Sequence, residues 1–131
     1  MTEMTAEAMI EVRRVYGEAG QAGPGYRVLV DRMWPRGLSK EQVRPDLWLK
    51  DISPSPELRR WFGHDPARWE EFRRRYFAEL AFKPELVGRL VGKAREGRLV
   101  LLYGAREERF NNAVALKQYL ESLEGRAGQG G

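Results

Sequence analysis

RLVLLY (residues 98–103) and YRVLV (residues 26–30) decide the fold. Both are short, continuous runs of aliphatic and β-branched residues. That composition suits strands buried on both faces of a parallel sheet better than an amphipathic helix. Three helical patterns lie between them, ample for a crossover, so the two strands are expected side by side and parallel. Their carboxyl ends then share one edge. The fold class that follows is α/β, a small and mainly parallel sheet covered by helices as a three-layer sandwich.

Working outward, the helical patterns have readable starts and faces. Ser55-Pro56-Glu57 supplies an N-cap, a proline at the first helical position and an acid in the first turn, ahead of Leu58, Trp61 and Phe62. Asp65-Pro66 repeats that logic before Trp69, Phe72, Tyr76 and Leu80, whose spacings of three and four put one face in the core. Pro84 opens a third helix, closed by Gly97 as an expected left-handed cap. Asn111 or Asn112 caps a last helix carrying Leu116, Tyr119, Leu120 and Leu123. Before all of these, MIEVRRVY (9–16) alternates loosely as a strand, and GEAGQAGPG (17–25) is a glycine-rich connection too short for a helical crossover. Whether the strand at 9–16 runs parallel to that at 26–31 stays open. Residues 1–8 are expected to be flexible, 9–124 to form one domain, and GRAGQGG (125–131) to be a disordered tail.

Composition excludes several classes of chemistry. The 131-residue chain has no cysteine and one histidine, His64, so disulfides, thiolate nucleophiles and cysteine-based zinc sites fall away. No clustered carboxylates stand at metal-ligand spacing, and neither GxxxxGK[ST] nor GxGxxG occurs. No metal or cofactor is expected. No apolar run reaches the roughly 20 residues of a membrane span, and glutamates occupy the N-terminus where a secretory leader carries lysines. The expected compartment is the cytoplasm. The net charge is +4, with 18 arginines against 5 lysines. The densest basic run, Arg73-Arg74-Arg75, follows Glu70-Glu71 on one helix and reads as a salt-bridged face.

Chemistry is expected where the two buried strands leave the sheet, because both run directly into arginines. Asp31, Arg32 and Arg36 follow the first strand; Arg106, Arg109 and a helix start at Asn111 follow the second. Ligands of open α/β sheets sit outside the carboxyl ends of the strands, and a helix N-terminus adds unpaired N–H groups. With parallel strands, Arg32, Arg36 and Arg106 are expected to converge on one anion, with Asn111 orienting it. Asp31 and Tyr103 are the only plausible proton handlers, and Trp34 is placed to line a pocket. Each has a plainer alternative. Asp31 can serve as the ion-pair partner of Arg32, Ser55 and Asp65 as helix caps, His64 as a ring stacked beside Trp69, and Trp61 and Trp69 as core. Lys50 and Arg59 stand open between surface and site.

DRMWPRG (31–37), WLKDISPSPELRRWFGHDPARWEEFRRRYFAEL (48–80) and LVLLYGAREERFNNAVALKQYL (99–120) resemble the bacterial YeaO-like family, also called domain-of-unknown-function family 488. The resemblance spans about residues 10–122. It implies an α/β sandwich in a bacterial cytosolic protein with no settled activity, and some members carry transcriptional-regulator names. Its motifs point to Asp31, Arg32, Trp34, Pro35, Arg36 and Gly37, to Lys50, Ser55 and Arg59, and to Tyr103, Arg106 and Asn111. This chain departs from the family at Asn111-Asn112, where short members often carry Asn-His and longer ones a Cys-His-Arg pattern.

Three functional readings follow. One is an enzyme or ligand-binding protein with an arginine-rich pocket for a small phosphorylated, nucleotide-like or carboxylated molecule. Another is a nucleic-acid-binding or transcription-regulatory protein, although nothing reads as a helix-turn-helix. The last is a partner-binding module whose arginines brace loops. Arginines converging in a concave pocket favour the first, a flat stripe longer than roughly 20 Å the second, and full internal pairing the third. Composition sets no oligomeric state.

Overall fold

A computed structural model of the chain describes residues 9–17 and 23–130, with side chains through residue 123. The expectation for residues 1–8 lies outside the described residues, as does part of the 17–25 connection. The strands are β1 (Met9–Arg14), β2 (Tyr26–Leu29), β3 (Leu47–Trp48) and β4 (Arg98–Tyr103). They form one sheet in the order β1-β4-β2-β3, parallel at every pairing. Strands β2 and β4 are therefore adjacent and parallel, in the register Tyr26↔Leu99 to Leu29↔Leu102. The orientation the sequence left open is resolved: β1 also runs parallel, but on the far side of β4 from β2.

Tight backbone geometry brings the chain into β2. Gly25 has φ +108°, and a Cβ there would stand 3.0 Å from the carbonyl oxygen of Arg98. Only glycine takes this conformation and this approach without strain. Five of the six residues of β4 are buried, as a central parallel strand requires. Alternation divides them, with Leu99, Leu101 and Tyr103 facing one layer and Val100 and Leu102 the other.

The first layer is helical: α2 (Pro56–Phe62), α3 (Trp69–Leu80), α4 (Pro84–Glu96) and α5 (Asn112–Gly130). Phe72, Tyr76, Leu90 and Leu116 are fully or almost fully buried there. The Tyr76 hydroxyl donates to the Ile52 carbonyl at 2.6 Å. On the opposite face the cover is thin: the one-turn helix α1 (Lys40–Val43) and the 31–39 loop close over Val15, Leu29, Val43, Val100 and Leu102. The third layer is thus a single turn and a loop. Buried Arg27 ties it down, donating from Nη2 to the Val43 carbonyl at 2.8 Å and from Nε to that of Arg44 at 3.2 Å.

The caps expected of Ser55 and Asp65 are present, accepting from the Leu58 and Ala67 amides. Ser55 does more: its amide and hydroxyl both donate to the Glu79 carboxylate, at 2.9 and 2.7 Å, so it pins α2 to α3. Ser55→Ala should cost about 1–2 kcal/mol, read as a lower midpoint in urea unfolding; an unchanged midpoint would show that water replaces both contacts. Three local details differ from expectation. Gly97 is extended at φ 173° and does not form a left-handed cap. The two-residue β3 and the single turn α1 were not anticipated. The backbone of α5 runs on through Gly130, where composition expects a disordered tail; an already nucleated helix propagates through residues that would not start one. Among the described residues no helix is long and apolar enough to cross a membrane.

Candidate functional site

Neighbouring strands β2 and β4 send the chain to opposite faces of the sheet. After β2 it enters the 31–39 loop and α1; after β4 it enters α5 on the helical side. A crevice opens between such diverging ends, and here it widens into a cavity of about 400 Å³. Asp31 lines it and joins the two strand exits. One carboxylate oxygen accepts the Gly104 amide at 2.8 Å, and the other accepts the Asn112 side chain at 3.2 Å. Asn112 also donates to the Val30 carbonyl at 3.3 Å.

Positive charge dominates the walls. Arg32, Arg59 and Arg60 line the cavity beside His64, and Asp31 is the one carboxylate among its described lining residues. None of the three arginines makes an ion pair among the described residues. Among the described residues the Nε of Arg32, like that of Arg73 on α3, is buried without a hydrogen-bond partner, a condition that folded proteins seldom tolerate. Phe62 and Phe72 form an apolar wall, their rings stacked at 4.1 Å. His64 adopts the left-handed conformation at φ 57°, directly after Gly63, which caps α2 in the same conformation.

Burial pushes the Asp31 carboxyl above its ordinary value of 3.8, against the hydrogen bonds from Gly104 and Asn112 and the charges of Arg59 and His64. A folded-state value above the unfolded one means that folding favours the protonated acid. Its stabilising contribution is therefore present at low pH and lost as pH rises through the raised value. Asp31→Asn removes this titration. The melting temperature of the variant relative to the parent should climb as pH rises from about 4. Parallel melting profiles between about pH 4 and pH 8 would refute the assignment.

The predicted site residues divide cleanly. Asp31, Arg32 and Arg59 line the cavity. Arg36 and Arg106 are exposed and do not; the loop carrying Arg36 turns toward the thin layer, where the Tyr16 hydroxyl donates to the Arg36 carbonyl at 2.8 Å. Trp34 belongs to that layer too, edge-on to Trp48 at 5.4 Å with its Nε1 donating to the Leu38 carbonyl. Tyr103 is buried in the helical core, and burial pushes its phenol above the usual value. Asn111 is fully buried and committed, donating to the Glu107 carbonyl and capping α5 by accepting the Val114 amide. Its neighbour Asn112 is the one in the cavity. Arg60 was missed, although Pro56, Arg59 and Arg60 stand at the i, i+3, i+4 spacing of one helical face.

Several plainer alternatives can also be placed. No ion pair joins Asp31 to Arg32 among the described residues. His64 packs on Phe62 at 5.5 Å. Lys50 is exposed, its ammonium 4.5 Å from the Trp48 ring centre. The Arg73-Arg74-Arg75 run is salt-bridged to Glu70 and Glu71, and hydrogen bonds from Arg74 and Arg75 lower the half-buried Glu71 carboxyl to about 2. No group of three or more His, Cys, Asp or Glu side chains able to hold a metal occurs among the described residues.

Fold and site together define a parallel α/β domain with an arginine-lined cavity at the carboxyl edge of its sheet. The chain belongs to the DUF488-N3i family, described as the inactive DUF488-N3 subclade, whose model matches residues 9–129. It is 43% identical over 114 residues to the uncharacterized protein YeaO of Escherichia coli (strain K12), covering 87% of this chain and 98% of YeaO. It is 47% identical over 77 residues to the uncharacterized protein Rv3073c of Mycobacterium tuberculosis, covering 59% of this chain and 64% of that protein. No solved structure matches.

Proposed function

We propose that the cavity binds a small anionic ligand (phosphorylated, nucleotide-like or carboxylated) in the bacterial cytosol without transforming it. The observation that carries this reading is the Arg32 guanidinium, which lines a concave site with a buried, unpartnered Nε. Arg59 and Arg60 stand beside it against a single carboxylate. Fixed cations repel one another more strongly as the local dielectric falls, and an anion between them gains by the same factor. Planar guanidiniums add bidentate geometry suited to phosphate or carboxylate.

Binding without turnover is supported from two sides. Tyr103 lies in the core away from the cavity, and each oxygen of Asp31 already accepts one hydrogen bond, from Gly104 and from Asn112. The family to which the chain belongs is likewise described as an inactive subclade. Calorimetric titration of the full chain with inorganic phosphate and sulfate tests the reading; heat of binding is expected, and none with either ion overturns it. The nucleic-acid alternative is disfavoured by the ion pairing of Arg73, Arg74 and Arg75. Salt-sensitive retardation of duplex DNA in a mobility-shift gel, without phosphate binding, would reinstate it.

A further inference from the structure

Resting on that anion reading, we propose that the ligand is a free nucleoside monophosphate. Its phosphate would sit among Arg32, Arg59 and Arg60, its base against Phe62 and His64, and one of its N–H or O–H groups would donate to Asp31.

Charge is the first argument. Three guanidiniums and one carboxyl line the cavity, leaving an excess of at least two positive charges. A phosphate monoester carries between about −1.5 and −2 at neutral pH and nearly cancels that excess. A simple carboxylate supplies half as much, and a zwitterionic amino acid supplies none.

Size and surface are the second. A cavity of about 400 Å³ lies in the range of small-molecule sites, far beyond what a bare oxyanion fills. Its uncharged lining sets aromatic rings among Pro54, Pro56 and the polar Ser53 and Asn112: Phe62 stacks on Phe72 with ring planes 17° apart, and the exposed His64 leans on Phe62. Planar rings pack on one another at separations of about 4.5–7 Å, so the exposed His64 ring, backed by Phe62, offers a seat to a planar body beside the anion.

Asp31 is the third. A carboxylate can accept about four hydrogen bonds, and Asp31 accepts one from Gly104 and one from Asn112. The remaining capacity, at the edge of a positively charged cavity, is useless to a phosphate oxygen. It suits a base amino group or a ribose hydroxyl on the same ligand. Anion, planar body and donor together describe a nucleotide.

Calorimetry on the full chain separates the possibilities, using inorganic phosphate, ribose 5-phosphate, the four common ribonucleoside monophosphates and their nucleosides. At least one monophosphate should bind about tenfold or more tightly than inorganic phosphate and than its own nucleoside. Arg59→Ala, an exposed position on α2, should weaken every phosphorylated ligand. Asp31→Asn should reduce the preference for nucleotide over phosphate, with a melting curve confirming that each variant folds. If phosphate and ribose 5-phosphate match every nucleotide, the nucleotide assignment fails and the anion reading stands. If no phosphorylated ligand binds, both fail. A 5′-phosphorylated oligonucleotide that outbinds all the mononucleotides overturns the free ligand in favour of a strand end.

Discussion

Trp69→Ala should destabilise the protein by about 3–5 kcal/mol, the range for a buried aromatic truncated to a methyl. Trp69 is 8% exposed and joins three segments. Its ring lies 5.9 Å from Phe62 at the end of α2, 5.8 Å from Phe72 on α3 and 5.4 Å from Phe110 in the loop after β4. These are separations at which aromatic pairs add to the burial energy. Truncation opens a void that a backbone held on three sides cannot collapse to fill. The melting temperature should fall by roughly 10–20 °C. A melting temperature within error of the parent would mean that the ring contributes no packing and that the helical face is wrongly assigned.

Substitution of Arg32 carries the largest expected effect on binding. Arg32→Ala should weaken inorganic phosphate binding by about 2–5 kcal/mol, the cost of truncating one member of a buried charge pair. Arg32→Lys keeps the charge but loses the planar fork, and should cost about 1–2 kcal/mol. Arg36→Lys and Arg106→Lys, on exposed side chains outside the cavity, should leave the affinity unchanged. Calorimetric titration reads all four. An Arg32→Lys variant that binds as tightly as the parent would show that charge alone, not the planar fork in the cavity, attracts the anion.

Much of the architecture is legible in the chain because its central strands declare themselves. The aliphatic runs at 26–30 and 98–103 have no alternative burial, and three helices between them dictate a parallel pairing. Strand β3 was hidden for the opposite reason. Two residues, Leu47 and Trp48, show no periodicity, and only their register with Val28 and Leu29 makes them a strand. At the cavity, residues immediately after β2 were readable: Asp31 and Arg32 continue a fixed backbone direction. A few residues on, that direction is lost, and the loop takes Trp34 and Arg36 to the opposite face. Asn111 and Asn112 differ by one step of a helix, about 100°, which separates a buried cap from a cavity wall. Sequence placed an asparagine there, but helical phase chose between the two.

The position of β4 has a consequence for synthesis. It is the last strand to be made, yet it lies in the middle of the sheet, between the two strands nearest the N-terminus. Until residue 98 emerges from the ribosome, β1 and β2 have no common partner and their apolar residues have no sheet to enter. The contacts that close the sheet are non-local, so its assembly waits until translation is nearly over. The nascent protein therefore passes most of its synthesis with the facing edges of β1 and β2 unpaired, the period in which it is most open to edge-to-edge aggregation.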